Sequence, residues 1–372
     1  MAYNLFLCCV KFLIWLFEFS MNISSSRNQA AKRSPQAPFW QMDSFRFLMA
    51  VAILIGLVFG VNSLLGTDAY GRFQTFVTIF LGIFIEAVPF LLAGSILSGL
   101  LEIFVSPETI GRIVPRNKWA AALIGAVMGF AFPVCECGVV PVTRRLYGKG
   151  LPLSVGVAFL LAAPTVNPVV FASTYAAFGW GPILFGRFVV TIIIAFLIGM
   201  VFTFARPEDI LQESGADEPS DYHEHNYYAD AQGLSIRDKI WESMSIGGND
   251  FLDMGRYLII GSMMAALMQT FVPQATLLAL GSGAVVSVVT LMVLAFVLSI
   301  CSTVDAFLAL SFVNSFTTGS ILSFLTFGPM VDIKSSLMFL GVFKRKIVVY
   351  LIVLPMMLNG LAALIINFYT SW

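Results

Sequence analysis

Charge is scarce in this sequence. Of its 372 residues, 11% are Asp, Glu, Lys or Arg, against roughly 25% in a soluble globular chain. Histidine occurs twice and cysteine five times. The cysteines (Cys8, Cys9, Cys135, Cys137 and Cys301) sit in apolar surroundings, which excludes a secreted disulfide scaffold. The 21 basic residues are matched by 21 acidic ones, so the basic surface that nucleic acid requires is missing. There is no phosphate-cradling Walker loop and no convincing Ser/His/Asp order. The reading therefore calls for no enzyme, no cofactor and no direct use of ATP.

Apolar residues fill the chain instead: 58% are hydrophobic and the mean hydropathy is +0.89. Such a chain cannot solvate itself, and the lipid bilayer is its first partner. Runs of the required length, about 20 apolar residues, cover 45–65, 75–104, 182–204, 251–272 and 347–368. Between them, 120–142, 151–179, 284–314 and 316–343 are apolar but interrupted by Pro, Gly or a polar residue. In a bilayer the backbone must satisfy its own hydrogen bonds, so the segments are helices. The expected fold class is an all-α polytopic membrane protein, about eight membrane segments arranged as two inverted repeats with broken or re-entrant helices.

Residues 1–44 are read as an N-terminal extension: an interfacial helix, or a start called too early with Met21 or Met42 as the true one. No small-residue cleavage site follows the first apolar stretch, which argues against a signal peptide. Residues 45–205 form the first membrane repeat, 206–250 a cytoplasmic acidic linker, and 251–372 the second repeat. The linker contains His223 and His225 in DYHEHNYY, and a solvated loop is the plainer reading of them than a metal site.

The duplication is visible in the sequence. A shift of 167 residues lays 84–105 on 251–272 with Phe84, Leu91, Gly94, Ser95, Leu100, Phe104 and Val105 meeting identical residues, and Glu86 meeting Asp253. Further on Cys135 meets Cys301, Pro164 meets Pro329, and Asn167 meets Asp332. Ordered matches at rare polar positions point to a repeat. The basic clusters Arg112/Arg116/Lys118 and Arg144/Arg145/Lys149 both reach the cytoplasmic side only if 120–142 dips in and returns. Its helical part, 120–132, would be about 20 Å long, short of the ~30 Å core.

Chemistry concentrates in FPVCECGVVPVTRR, residues 132–145. On a continuous helix Cys135 and Cys137 would diverge, whereas an extended segment, favoured by Pro133, Gly138 and Pro141, would face both thiols one way. Two thiolates form a clip for a soft metal or metalloid. Each cysteine alone is as well explained by packing. Cys135, Cys137 and Cys301 are the metal-ligand candidates. Glu136, Asp305 and Asp332 lie in apolar runs, where an acid costs about 2.5–3.5 kcal/mol and normally faces a cavity or a partner. They are candidates for holding solute and carrying coupling protons. The plain alternatives are that Glu136 pairs with Arg144 or Arg145 at the interface and that Lys334 neutralises Asp332. Asn167 occupies a proline break where free backbone groups could line a site, or where its amide satisfies them.

The motifs CECGVVPVTRR, AAPTVNPVVF and CSTVDAFLALSF, in this order, resemble the bacterial predicted-permease family of YraQ type, from about Phe73 to the C-terminus. The resemblance implies a multi-pass permease of the inner (plasma) membrane, with Cys135, Glu136, Cys137, Pro141, Pro164, Asn167, Pro168, Cys301 and Asp305 at motif positions. One branch of that family comprises efflux permeases for trivalent organoarsenicals, and others are associated with metal export. Three functions are open at this point. The first is secondary-active efflux of a soft metal, metalloid or small thiophilic solute. The second is a transmembrane thiol–disulfide oxidoreductase, disfavoured by the lack of C-x-x-C and by Glu136 beside the thiols. The third is a permease for an anion or organic solute in which the cysteines only pack.

Overall fold

The computed structural model describes residues 67–115, 117–132, 134–204, 211, 235–271, 283–313 and 315–369. The first extension, the 45–65 run, the two histidines and most of 206–234 lie outside them. Residues 70–213 and 226–372 make one compact unit, to which the helices below belong.

The described residues are mostly helical, with no strand among them beyond a single bridge between Leu211 and Phe343. In order come α1 (Thr67–Phe104), α2 (Pro107–Ile113), α3 (Lys118–Met128), α4 (Glu136–Gly148), α5 (Leu153–Ala162), α6 (Pro168–Phe178) and α7 (Pro182–Phe202). The second half holds α8 (Ile236–Phe271), α9 (Ala284–Leu298), α10 (Asp305–Ala309) with a 3₁₀ turn at Leu310–Phe312, α11 (Thr318–Met330), α12 (Ile333–Phe339) and α13 (Arg345–Tyr369). Helices α1, α7, α8 and α13 are long and apolar enough to cross a membrane. Helix α8 starts well before the 251–272 run, taking in polar residues such as Arg237, Asp238, Lys239 and Glu242. The interrupted regions resolve into the pairs α3/α4, α5/α6, α9/α10 and α11/α12, each broken where the sequence is. The protein is an all-α polytopic membrane protein.

Close approaches at small residues fix the directions of the helices. Gly125 of α3 lies against the backbone of Val155 in α5, and Gly129, just beyond α3, against Ala163. Residue number rises on both sides of this contact, so α3 and α5 run parallel. Helix α4 must therefore return to the side from which α3 entered. Its start meets α1 at Gly138 against Gly94, and just past its end the Lys149 ammonium donates to the carbonyls of Glu102 (2.7 Å) and Val105 (2.8 Å). From Gly94 to the end of α1 is about 15 Å at helical rise, half of a ~30 Å core. The α3/α4 pair is a re-entrant hairpin with its tip, residues 129–135, at mid-depth. Helix α7 ends beside the starts of α3 and α5, where Gly199 meets Ser154, Ala158 and Ala122. The α5/α6 pair must then cross completely, broken near its middle.

The second half repeats this plan. Helix α5 packs between α3 and α7, and α11 between α9 and α13; α4 meets α12 across the halves as α10 meets α6. Two close contacts also correspond, with glycine on alternate partners. Gly129 meets Ala163 in the first half, and Ala295 meets Gly328 in the second. Gly199 meets Ser154, and Gly319 meets Ala363. At offsets of 164 to 166 residues these are corresponding contacts, with the residue that lacks a side chain exchanged between partners. Each half has three crossings and one hairpin, an odd number, so the copies have opposite senses. Helices α1 and α8 agree: Ser95 lies against Gly247 and Gly99 against Ser243, an antiparallel order. This outer pair departs from the symmetry in one respect. Gly94 packs on α4, whereas its counterpart Gly261 packs on Lys334 of α12.

A side chain at these contacts would strike backbone that cannot move aside. Gly125→Val is expected to cost about 1–3 kcal/mol, the range for overpacking, while Gly111→Ala, where no atom lies within 4 Å, should be neutral. Thermal unfolding of the detergent-solubilised protein measures both. Equal stability of the two variants would contradict the directions assigned to α3 and α5.

Candidate functional site at the helix breaks

The hairpin tips and broken crossings meet at mid-depth, where helix ends leave backbone groups without intrahelical partners. Local chemistry satisfies many of them. Asn167 caps α6: its side-chain oxygen accepts from the Val170 N–H (2.9 Å) and its amide donates to the carbonyls of Ala163 and Pro164 (both 3.3 Å). Its repeat counterpart Asp332 caps α12, accepting from the Ser335 N–H (2.6 Å) in a reciprocal capping box. Asn167 is thus occupied with the kink it stabilises. The matched cysteines are equivalent in the same sense: the Cys135 carbonyl accepts from the N–H of Gly138 and Val139, and the Cys301 carbonyl from those of Val304 and Asp305. Helix α9 ends on Ser299 in the left-handed region, φ 49° and ψ 44°. A residue with a side chain adopts that conformation at a cost, and here it lies in the second hairpin tip.

The extended CEC segment expected from sequence is not what forms. Only Cys135 is extended, as the N-cap of α4; Glu136 and Cys137 lie in its first turn. The thiols of Cys135 and Cys137 nevertheless lie close enough to interact, because the cap residue leaves the helical spiral and can fold back over the first turn. Proline at 141 lies inside α4, the sixth residue of the helix, where the N–H it lacks would have bonded the Cys137 carbonyl.

Glu136 is 3% exposed and pairs with Lys334 at 3.4 Å, not with Arg144 or Arg145. Arg145 instead makes a bidentate pair with Asp250 of α8 (3.1 and 2.8 Å), to which Ser98 of α1 also donates. Lys334 also stands 3.6 Å from Asp332, as the sequence suggested, so one ammonium serves two carboxylates. Lys334 lies within electrostatic range of Cys137 and Cys301, and Cys301 within that of Cys135 and Glu136. Thiols from both halves therefore share one buried region with Glu136, Asp332 and Lys334. All three described cysteines are free thiols. Among the described residues no group of three or more His, Cys, Asp or Glu is arranged to hold a metal ion.

Asp305 belongs to a second ion pair between the halves. Arg187 of α7, fully buried, donates to its carboxylate at 2.7 Å, to the Ser302 carbonyl at 3.2 Å and to the Thr174 hydroxyl of α6 at 2.9 Å. Sequence reading missed Arg187, although the signal was present: it is the one charged residue in the apolar run Pro182–Phe202, and the argument applied to the acids holds for a base. Of the helix-matched pair, Asp253 pairs with Arg256 and approaches Arg144 at 3.9 Å, and Glu86 on α1 keeps a buried oxygen without a partner. Neither contacts the central cluster through those bonds.

Comparison with known proteins accounts for most of this chain. A profile described as a predicted permease, ArsP_1, matches residues 72–368. The chain belongs to the ArsP_1 family of predicted permeases. ArsP_1 relatives include the UPF0718 protein YcgR of Bacillus subtilis, 44% identical over 76% of this chain and 94% of YcgR. A Streptococcus mutans protein, named as a candidate subunit of a two-component membrane permease complex, is 38% identical over 78% of this chain and 92% of its own length. The UPF0718 protein MJ0584 of Methanocaldococcus jannaschii is 29% identical over 36% of both chains. No solved structure matches the chain. The ArsP_1 match begins inside α1 and ends inside α13, so it covers both repeats and the whole cluster. The family makes this chain a membrane permease.

Proposed function

We propose that this permease is a secondary-active exporter of a small thiophilic solute, a soft metal or trivalent metalloid compound, in the bacterial inner membrane. One arrangement supports the proposal: Cys137 and Cys301, from the two opposed halves, both lie within electrostatic range of the buried Lys334 at the helix breaks. Inverted-repeat transporters bind substrate where such breaks meet and expose it to either side by moving one half against the other. Cys135, Cys137 and Cys301 are the soft ligands in this reading, and Glu136 with Lys334 forms the adjustable charge beside them. A cargo site differs from a resident metal centre in that it must release, so a closed set of ligands is not required in every conformer.

The orientation follows from charge. Arg112, Lys118, Arg144, Arg145 and Lys149 lie toward the end of α1, and the ring contact of Tyr147 with Phe343 brings Lys344, Arg345 and Lys346 to that face. Basic loops stay in the cytoplasm, which sets this face inside. The test is a sensitivity panel in a host lacking its own arsenical and heavy-metal exporters. Expression of the chain is expected to raise tolerance to trivalent arsenicals or soft-metal salts and to leave tolerance to hard cations unchanged. No shift across the panel would remove the thiophilic solute from the proposal and leave the permease.

A further inference from the structure

We infer that Arg145 and Asp250 form the inner gate of this permease: their ion pair closes the way between the thiol cluster and the cytoplasm, and parts to let solute pass. The inference rests on the movement of one half against the other proposed above, but not on the class of solute. Position is the first support. Arg145 lies on α4 nine residues beyond Glu136, about 14 Å toward the cytoplasmic face at helical rise. Asp250 comes from α8, the first helix of the second half. Both of its oxygens are engaged. Oδ1 accepts from Arg145 at 2.8 Å, and Oδ2 from Arg145 Nε at 3.1 Å and from the Ser98 hydroxyl of α1 at 2.7 Å. The pair is buried, as is Cys137 behind it. Arg144 approaches Asp253 at 3.9 Å, so adjacent arginines of α4 reach successive turns of α8. The stretch between the cluster and the pair is built to give way. Ser95 of α1 and Thr143 of α4 lie along it with buried hydroxyls that have no partner, a cost that hydration on opening would remove. Pro141 leaves α4 one backbone bond short at the same level, where a helix bends most readily.

The repeat supplies the second support, because its other copy does without the pair. At offsets of 166 and 167 residues the outer counterparts of Arg145, Asp250 and Ser98 are Ser311, Ile83 and Ala265. Ser311 is exposed and donates to the Leu308 carbonyl one turn back (2.7 Å). The same helical plan therefore packs on the outer side with no ion pair at this place. The outer side has a different tie, Arg187 with Asp305, whose inner counterparts Leu351 and Val139 are apolar and fully buried. Each face carries its own charged link across the halves, and neither link is a copy of the other. A buried ion pair is a weak source of stability next to apolar packing, and it serves better as a contact made in one packing and broken in another. In the open state α4 stands away from α8, and Arg145 and Asp250 are solvated at the cytoplasmic edge.

The test reads Cys137 with a membrane-impermeant maleimide, in the full-length chain with the other four cysteines replaced by serine. One thiol then reports, and no solute is needed. In inside-out vesicles Asp250→Asn should raise the labelling rate about tenfold over its parent, as the inward-open state gains population. In right-side-out vesicles the rate should not rise. Arg145→Asp/Asp250→Arg, which remakes the pair with its charges exchanged, should bring the rate back toward the parent. Arg145→Gln/Asp250→Asn leaves no buried charge unpaired between the two, and gives the same readout if Asp250→Asn alone fails to fold. A rate from the inside that does not change overturns the inference, as does a rate that rises equally from both sides. A charge exchange that folds and labels like Asp250→Asn overturns it too. Loss of folded protein in both neutral variants would assign the pair to the fold and overturn the gate. Failure of the wild type to confer tolerance on the sensitivity panel would remove the thiophilic solute instead, with the labelling still deciding Arg145 and Asp250.

Discussion

Replacing Cys135 and Cys137 together by serine is expected to abolish the tolerance that the protein confers on a sensitive host. Serine keeps the size and a hydrogen-bonding group but exchanges a soft ligand for a hard one. Even residues behind the ligands of metal sites are worth about 10–100-fold in affinity, and loss of two direct ligands should cost at least that. Folding is not expected to confuse the result. Cys135 is a partly exposed cap, and Cys137 is buried beside it, so the exchange retains the contact between them with oxygen in place of sulfur. The measurement is growth inhibition by the trivalent arsenical or soft-metal salt to which the wild type confers tolerance, with protein amount checked by immunoblot. Full tolerance at wild-type protein level would show that the cysteines only pack. Cys301→Ser extends the test to the other half. Loss of function there too would support ligands drawn from both repeats, while function retained would confine the solute to the first hairpin.

Lys334→Ala is expected to have the largest effect on stability. Lys334 is 3% exposed and lies between Glu136 and Asp332. Removing it leaves two acids buried together without a base, and breaking a buried pair costs about 3–5 kcal/mol. The same principle predicts the rescue. Neutral replacement of the base and both its acids is close to neutral, so Glu136→Gln/Asp332→Asn/Lys334→Met, in which Asn can still cap α12, should recover most of the lost stability without recovering transport. Thermal unfolding in detergent measures the first, and solute flux in proteoliposomes the second. If Lys334→Ala unfolds like the wild type, the ammonium is not what holds α4 to α12. If the triple variant transports normally, the charges serve only the fold.

Much of the architecture was legible because the bilayer reduces the choices. A backbone that must bond to itself forms helices, the length of an apolar run says whether it can cross, and basic residues say which end stays inside. The 167-residue offset was readable because it matched rare residues such as Cys135 with Cys301. The re-entrant hairpin was legible for the same reason, since a helical segment ending at Phe132 is too short to cross and Arg144 would otherwise be stranded. Side-chain partnership was not legible. Glu136 could have met Arg145, nine residues along the chain, yet it meets Lys334 from the other half, and Arg145 meets Asp250. Nor could sequence show that Cys135 would leave the helix as its cap and so keep its thiol on that of Cys137. Arg187 was legible in principle, as a lone charge in an apolar run, and its partner Asp305 was not.

The amino-acid sequence by itself determined that this protein is helical, membrane-embedded and doubled, since apolar length, charge position and repeated polar residues act locally along the chain. Only the tertiary structure decided which acid faces which base and which thiols come together. The pairs that decide it, Glu136 with Lys334 and Arg187 with Asp305, join residues more than a hundred positions apart, and they depend on how closely the two halves approach at their glycines.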